Sequence, residues 1–223
     1  MELAKALDVR PGVTAIIGAG GKTTLLHALG AELARTARVL LCTTTHIRIP
    51  QQVRCLLSPT ESELAAALEA EHCVCTGTPA ENGKLTAPEL PFSVLCRLAD
   101  YVLVEADGAH ERPIKAHADY EPVVPPEANQ TILVLGLSGL GRPIAEAVHR
   151  PALFAAALGI SESELVTPQL TAEFLDHEAP HTRVLLNQAD TPEREALGRT
   201  LAALLHGPVC LGALQKGWIR CLS

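Results

Sequence analysis

The segment Val13-Thr14-Ala15-Ile16-Ile17-Gly18-Ala19-Gly20-Gly21-Lys22-Thr23-Thr24 concentrates the residues best suited to chemistry. An apolar run leads into clustered glycines, then a lysine and two hydroxyls, then a leucine-rich stretch. Glycines let successive backbone N–H groups turn inward, and the N-terminus of a following helix adds unpaired donors, which together cradle polyphosphate. In that reading Gly18, Ala19, Gly20, Gly21, Lys22, Thr23 and Thr24 hold a nucleotide. Lys22 reaches the β and γ phosphates, and the Thr23 hydroxyl joins a Mg²⁺ shell completed by phosphate oxygens and water. The loop is short: Ile16 stands six positions before the lysine, where G-x-x-x-x-G-K-[ST] has its first glycine, and the leading glycine is Gly18.

A second reactive stretch is Tyr101-Val102-Leu103-Val104-Glu105-Ala106-Asp107-Gly108, an apolar strand that ends in two carboxylates. Phosphate-loop chemistry needs an acid at the end of a neighbouring strand to hold Mg²⁺ and position the attacking group, and either Glu105 or Asp107 can serve. Thr43-Thr44-Thr45-His46 follows the strand 39–42, and Thr44 is a further candidate for the metal. Arg112, Lys115, His149 and Arg150 are candidate cations for a γ-phosphate or an anionic substrate, or else solvated surface charge. Asn187-Gln188-Ala189-Asp190, at the end of the strand 183–187, resembles the N-K-x-D base-recognition motif of GTPases. A carboxylate at Asp190 can accept the two guanine donors, but Gln188 replaces the lysine, so GTP and ATP both stay open. The competing reading is an Asx turn before the helix that begins at Thr191-Pro192.

These residues need rigid elements beneath them. Leucines at 25, 26, 29 and 33 keep helical spacing to about residue 35, and 39–42 reads as a buried strand. Thr60 and Glu63 form a capping box, 73–76 is a short strand, and 91–98 is a helix. Asn82-Gly83 marks a tight turn within the otherwise irregular stretch 77–90, and 120–126 is a proline-rich loop. Strands at 131–135, 183–187 and 209–212 alternate with helices that open at Pro151, Pro168 and Pro192, and the chain closes in a short tail. The alternation predicts an α/β fold, P-loop NTPase-like, with a mostly parallel sheet and helices on both faces, as one domain over 1–223.

With 48% hydrophobic but only 3% aromatic residues in 223, the core is built from Leu, Val, Ile and Ala. A net charge of −7 without any Lys/Arg run argues against nucleic acid as a main partner. The N-terminus carries no basic segment followed by an apolar one, and no apolar run approaches the ~18 residues of a membrane span, so the expectation is a soluble, cytoplasmic protein. Seven cysteines, an odd number, do not suggest a disulfide framework. Cys73 and Cys75 share a strand face, either as a pair for a soft metal or selenium or as small core residues.

The glycine loop, Thr43-Thr44-Thr45-His46-Ile47, Glu105-Ala106-Asp107-Gly108-Ala109, Pro113-Ile114-Lys115-Ala116, His149-Arg150-Pro151 and Asn187-Gln188-Ala189-Asp190 together resemble the YqeC family. The resemblance covers nearly the whole chain. It implies a P-loop fold and an accessory or cofactor-biosynthesis role for selenium-dependent molybdenum hydroxylases, with a hydroxylase or its maturation proteins as partners. The loop alone is similar to that of Mur ligases and of metal-insertion and signal-recognition GTPases. Three functions follow: an NTP-hydrolysing maturation factor, a kinase or ligase acting on a small anionic acceptor, or a non-catalytic nucleotide-dependent binding module.

Overall fold

The computed structural model describes residues 2–222. Its strands are β1 (Gly12–Gly18), β2 (Val39–Thr43), β3 (Ile47–Arg48), β4 (Arg54–Leu57), β5 (Cys73–Ala80), β6 (Lys84–Thr86) and β7 (Tyr101–Glu105), then β8 (Ile114–Lys115), β9 (Ala128–Gly136), β10 (Val148–His149), β11 (Arg183–Asn187), β12 (Val209–Ala213) and β13 (Trp218–Cys221). The helices are α1 (Leu3–Ala6), α2 (Lys22–Leu33), α3 (Glu61–Glu71), α4 (Phe92–Leu98), α5 (Ile144–Ala147), α6 (Pro151–Leu158), α7 (Pro168–Leu175) and α8 (Pro192–Ala202). An 11-stranded sheet runs in the order β13-β12-β11-β9-β1-β7-β2-β5-β6-β3, with β4 also paired to β5. The strands from β12 to β5 are parallel, and the antiparallel pairings involve β13, β6 and β3 at the two edges. The fold is therefore α/β with a mostly parallel sheet, as the alternation of patterns predicts.

Strand alternation divides the core between two faces. Ile16, Leu41, Leu103, Val134 and Leu185 face one side, with Leu25, Leu26 and Leu29 of α2 and Leu3 of α1 packed against them. On the other side, Ala15, Ile17, Leu133 and Leu186 meet Phe154, Phe174 and Leu201 of α6, α7 and α8. Leu40, Val102 and Val104 continue that second face toward Leu64, Leu68 and Leu95 of α3 and α4. Helices thus cover both faces, and the central strands read as unbroken apolar runs for that reason.

Local signals set several boundaries. Thr60 and Glu63 make both bonds of the capping box that opens α3. Thr167 and Thr191 cap α7 and α8, each with proline at the first turn. Several short elements, β3 and β4 among them, are not expected from sequence, and two expected segments differ. Within the stretch 77–90, residues 77–86 are regular: β5 continues to Ala80, turns through Asn82 (φ 57°) and Gly83 (φ 66°), and returns as β6, and only 87–90 are irregular. Such short edge pairings, interrupted by Pro79, carry too little alternation to be read. The tail likewise returns as β13 against β12. Cys73 and Cys75 pack into the α2 side of the core, the bland alternative for that pair. No helix among the described residues is long and apolar enough to cross a membrane.

Gly198 lets α8 lie close on the sheet: a Cβ there would stand 2.6 Å from Leu211 Cδ1 and 2.8 Å from Leu137 Cδ1. Gly198→Val is expected to lower stability by about 1–3 kcal/mol through overpacking, read as a lower urea midpoint with an unchanged slope.

Candidate functional site

The strand order brings the two reactive stretches side by side. β1 is hydrogen-bonded directly to β7 with Ile16 opposite Glu105, so the glycine loop and the carboxylates leave the same sheet edge as neighbours. On its other side β1 pairs with β9, whereas the chain leaving β1 goes to β2, beyond β7. This reversal opens a crevice at the carboxyl ends of the strands, where open α/β sheets take ligands.

Between β1 and α2 the backbone has φ of 91°, 80° and 128° at Gly18, Gly20 and Gly21. Gly20 could carry no side chain, since a Cβ would lie 2.4 Å from Gly136 Cα at the end of β9. The first backbone bond of α2 runs from Leu25 N–H to Gly21 O. The amides of Lys22, Thr23 and Thr24 are therefore the unpaired donors of its first turn.

Lys22 is 5% exposed, and its ammonium donates to Gly18 O at 2.7 Å. Asp107 Oδ1 lies 3.0 Å from the same ammonium, an ion pair without hydrogen-bond alignment. Glu105 is farther from it, at 3.9 Å, and accepts a 2.7 Å bond from the Thr23 hydroxyl. Burial pushes the Glu105 carboxyl up, with the Lys22 charge only partly opposing it.

The two carboxylates, interchangeable in sequence, have different surroundings. Glu105 lines a cleft of about 880 Å³ together with Gly20, Lys22 and Thr23. Asp107 is fully buried behind the loop, where Oδ2 accepts the Gly18 N–H at 2.7 Å and a bond from His117 Nε2. Lys115 stands 3.6 Å from it. Burial alone would raise the Asp107 carboxyl, but the His117 bond and the charges of Lys22 and Lys115 hold it below the ordinary carboxylate range. The metal-ligand and catalytic roles expected of Asp107 are not matched by this placement, which makes it the anchor of the loop.

Three other expected residues need correction. The Thr44 hydroxyl donates to Val123 O at 2.6 Å and its amide to Glu105 O, so its polar groups serve the strand end rather than a metal. Lys115 has no exposed side-chain surface and is held by Gly108 O, Glu121 at 3.0 Å and Asp107, so it cannot meet a substrate. His149 lines the cleft and stacks on His110 at 4.9 Å. Burial, with Lys115 and Arg150 nearby, pulls it down to about 4, which leaves it a neutral imidazole at pH 7. Arg150 also lines the cleft but is paired with Glu121 and lies 5.3 Å over the Tyr120 ring. Arg112 lines it too and donates to Glu146 O.

The sequence reading missed His117, Glu121 and Glu178. His117 bridges Asp107 and Glu178, which hold its imidazole above the ordinary range although burial opposes this. The one available signal was the alternation Lys115, His117 in a short strand exit, which puts both on one face.

Asn187 and Asp190 also separate. The Asn187 side chain donates to Gly20 O at 2.8 Å and accepts from Leu214 N–H at 3.1 Å, tying the glycine loop to the segment after β12. Asp190 lines an adjoining cavity of about 190 Å³ with Gly21, Thr24 and Gln215. The cap of α8 is Thr191, not Asp190, and Arg194 lies 3.5 Å from the Asp190 carboxylate. Among the described residues no three His, Cys, Asp or Glu side chains group as metal ligands. A hard cation beside Thr23 and Glu105 would therefore need phosphate oxygens and water to complete its shell, which is how Mg²⁺ is usually held.

Residues 14–152 match the YqeC protein family, a span that holds the glycine loop, both carboxylates and Arg150 and ends before Asn187. The chain belongs to the YqeC family. It is similar to "Uncharacterized protein YqeC" of Escherichia coli (strain K12), 34% identical over 176 residues, which are 75% of this chain and 66% of that protein. The chain thus spans just under two thirds of the length of this YqeC relative.

The division of the carboxylates has a measurable consequence. Asp107→Asn leaves Lys22, Lys115 and His117 without their shared counter-charge, and such losses from buried pairs cost about 3–5 kcal/mol. Glu105→Gln removes the charge that faces Lys22 at 3.9 Å and keeps an oxygen that can accept from the Thr23 hydroxyl, a cost of about 1 kcal/mol. Urea unfolding of both variants is expected to show a large loss for Asp107→Asn and a small one for Glu105→Gln; equal losses would contradict the assignment.

Proposed function

We propose that this YqeC family member is a P-loop NTPase that binds a nucleoside triphosphate with Mg²⁺ and hydrolyses it. The observation that carries the reading is Lys22 lying across a loop of positive-φ glycines with the adjacent Thr23 hydroxyl bonded to Glu105. The amides of residues 22–24 would bind the phosphate oxygens. Lys22 would exchange its contacts with Gly18 O and Asp107 for the β and γ phosphates. Thr23 and Glu105 would hold Mg²⁺ between them, and a cation there offsets the burial cost that raises the Glu105 carboxyl. Bound Mg²⁺ supplies charge neutralisation on the transferring phosphoryl group. Asp107 keeps the loop shaped throughout by its bond to Gly18 N–H.

The cavity beside Gly21 and Thr24 is where the base would go, with Asp190 as the acceptor for a donor-bearing edge. Gln188, in the lysine position of the GTPase motif, is bonded to the Ser138 hydroxyl at 2.6 Å rather than free to cover a base. This leaves ATP and GTP as the two candidate substrates. For the cellular role, the family resemblance supports maturation or cofactor biosynthesis of selenium-dependent molybdenum hydroxylases, with nucleotide turnover driving that step.

Lys22→Ala is expected to abolish binding of Mg²⁺-nucleotide while the chain stays folded, because Lys115 and His117 still balance Asp107. Calorimetric titration with ATP and GTP, with a thermal melt as control, decides this, and unchanged affinity for both nucleotides would sink the reading. In the same titration Asp190→Asn should weaken GTP and favour xanthosine triphosphate. A lost charge-assisted contact is worth about 2–3 kcal/mol. If ATP binds at least as tightly as GTP and the variant changes nothing, Asp190 does not read the base.

A further inference from the structure

The cleft is larger than the glycine loop requires, and its far wall is built by the edge pair β3 and β6. There Arg48 and Lys84 are direct partners in antiparallel register. Residues opposite each other on such a pair project to the same face, and like charges in that position repel. Ile47 and Leu85, the neighbouring partners, are buried, whereas Arg48 and Lys84 are exposed and line the cleft that holds Lys22 and Thr23. Among the described residues neither has an acid within ion-pair distance. Arg112, which lines the same cleft, donates to the Glu146 carbonyl and has no acid partner among the described residues.

The acids of the cleft do not compensate them. Glu105 is engaged by Thr23, and Glu121 by Lys115 and Arg150. Glu111 also lines the cleft and, among the described residues, makes no ion pair with any of the three cations. In a chain of net charge −7, three cations that line one cleft without an acid partner among the described residues, two of them held against their mutual repulsion, call for an anion. A phosphate group fits best, because its charge near −2 and its three acceptor oxygens suit several cations that line one cleft. The wall is a local cluster within a concavity and not an extended stripe, which favours a small molecule over a nucleic-acid backbone.

We propose that Arg48, Lys84 and Arg112 form a second anion site, opposite the glycine loop, for a small molecule bearing a phosphate group. Anion binding there does not depend on Lys22, while its role as the site of a partner substrate rests on the nucleotide reading above. Of the substrate cations expected from sequence the site keeps Arg112, whereas Lys115 and Arg150 are already neutralised.

The test is titration with inorganic phosphate, followed by ³¹P line broadening, on Lys22→Ala protein and on unmodified protein saturated with Mg²⁺ and a non-hydrolysable triphosphate analogue. Both are expected to bind phosphate, and adding Arg48→Glu with Lys84→Glu should weaken it at least tenfold in each. The same double substitution should leave affinity for the analogue within twofold. Phosphate binding that ignores the double substitution overturns the site. So does a fall in analogue affinity without loss of phosphate binding, since the cations would then belong to the nucleotide's own phosphates. Failure of the analogue to bind would count against the nucleotide reading alone, because the Lys22→Ala arm still reports on the anion site.

Discussion

A single buried carboxylate governs the geometry of this protein. Asp107 accepts the Gly18 amide, and Lys22, Lys115 and His117 surround it. Removing that many charges from water costs several kcal/mol per ion, which the group offsets by mutual pairing, with its outer partners Glu121 and Glu178 in place. In such buried sets apolar replacements of similar volume are often neutral or stabilising. What the charges add is position: they fix where Gly18 O and the Lys22 ammonium stand.

The outer partners carry this constraint well beyond the loop. Glu121 joins Lys115 to Arg150, at the entrance to α6, and Glu178 joins His117 to the segment after α7. The proline-rich stretch that follows Tyr120 is pinned by the same ions, and Val123 lies against the strand ends through its bonds with Thr44 and Ala106. One wall of the cleft is therefore electrostatically continuous with the glycine loop. The opposite wall, made by β3 and β6, shares no ion pair with it among the described residues.

The central sheet was legible because parallel strands buried on both faces must be continuous apolar runs, as in 13–17, 101–104 and 131–135. The helix starts were legible because Thr60, Thr167 and Thr191 cap by rules that act within four residues. What escaped was set by long-range contact. Nothing local to Glu105 or Asp107 says which faces the cleft; the difference comes from His117, ten residues away, and from Lys22 on another strand's exit. The edge pairs β3, β6 and β13 escaped for a different reason, since two to four residues carry no period. The candidate site was thus readable as a set of segments, while the job of each side chain within them was not.

The Asn187 side chain, bonded at one end to Gly20 O and at the other to the Leu214 amide, spans 167 residues of sequence in one direction and 27 in the other. Its carboxamide holds both backbones at once, so the stretch that turns after β12 is part of the scaffold of the glycine loop. Residues 214–222 are therefore poor ground for truncation. Shortening the chain there would free Asn187 to rotate, and the disturbance would surface at Gly20, on the opposite flank of β9.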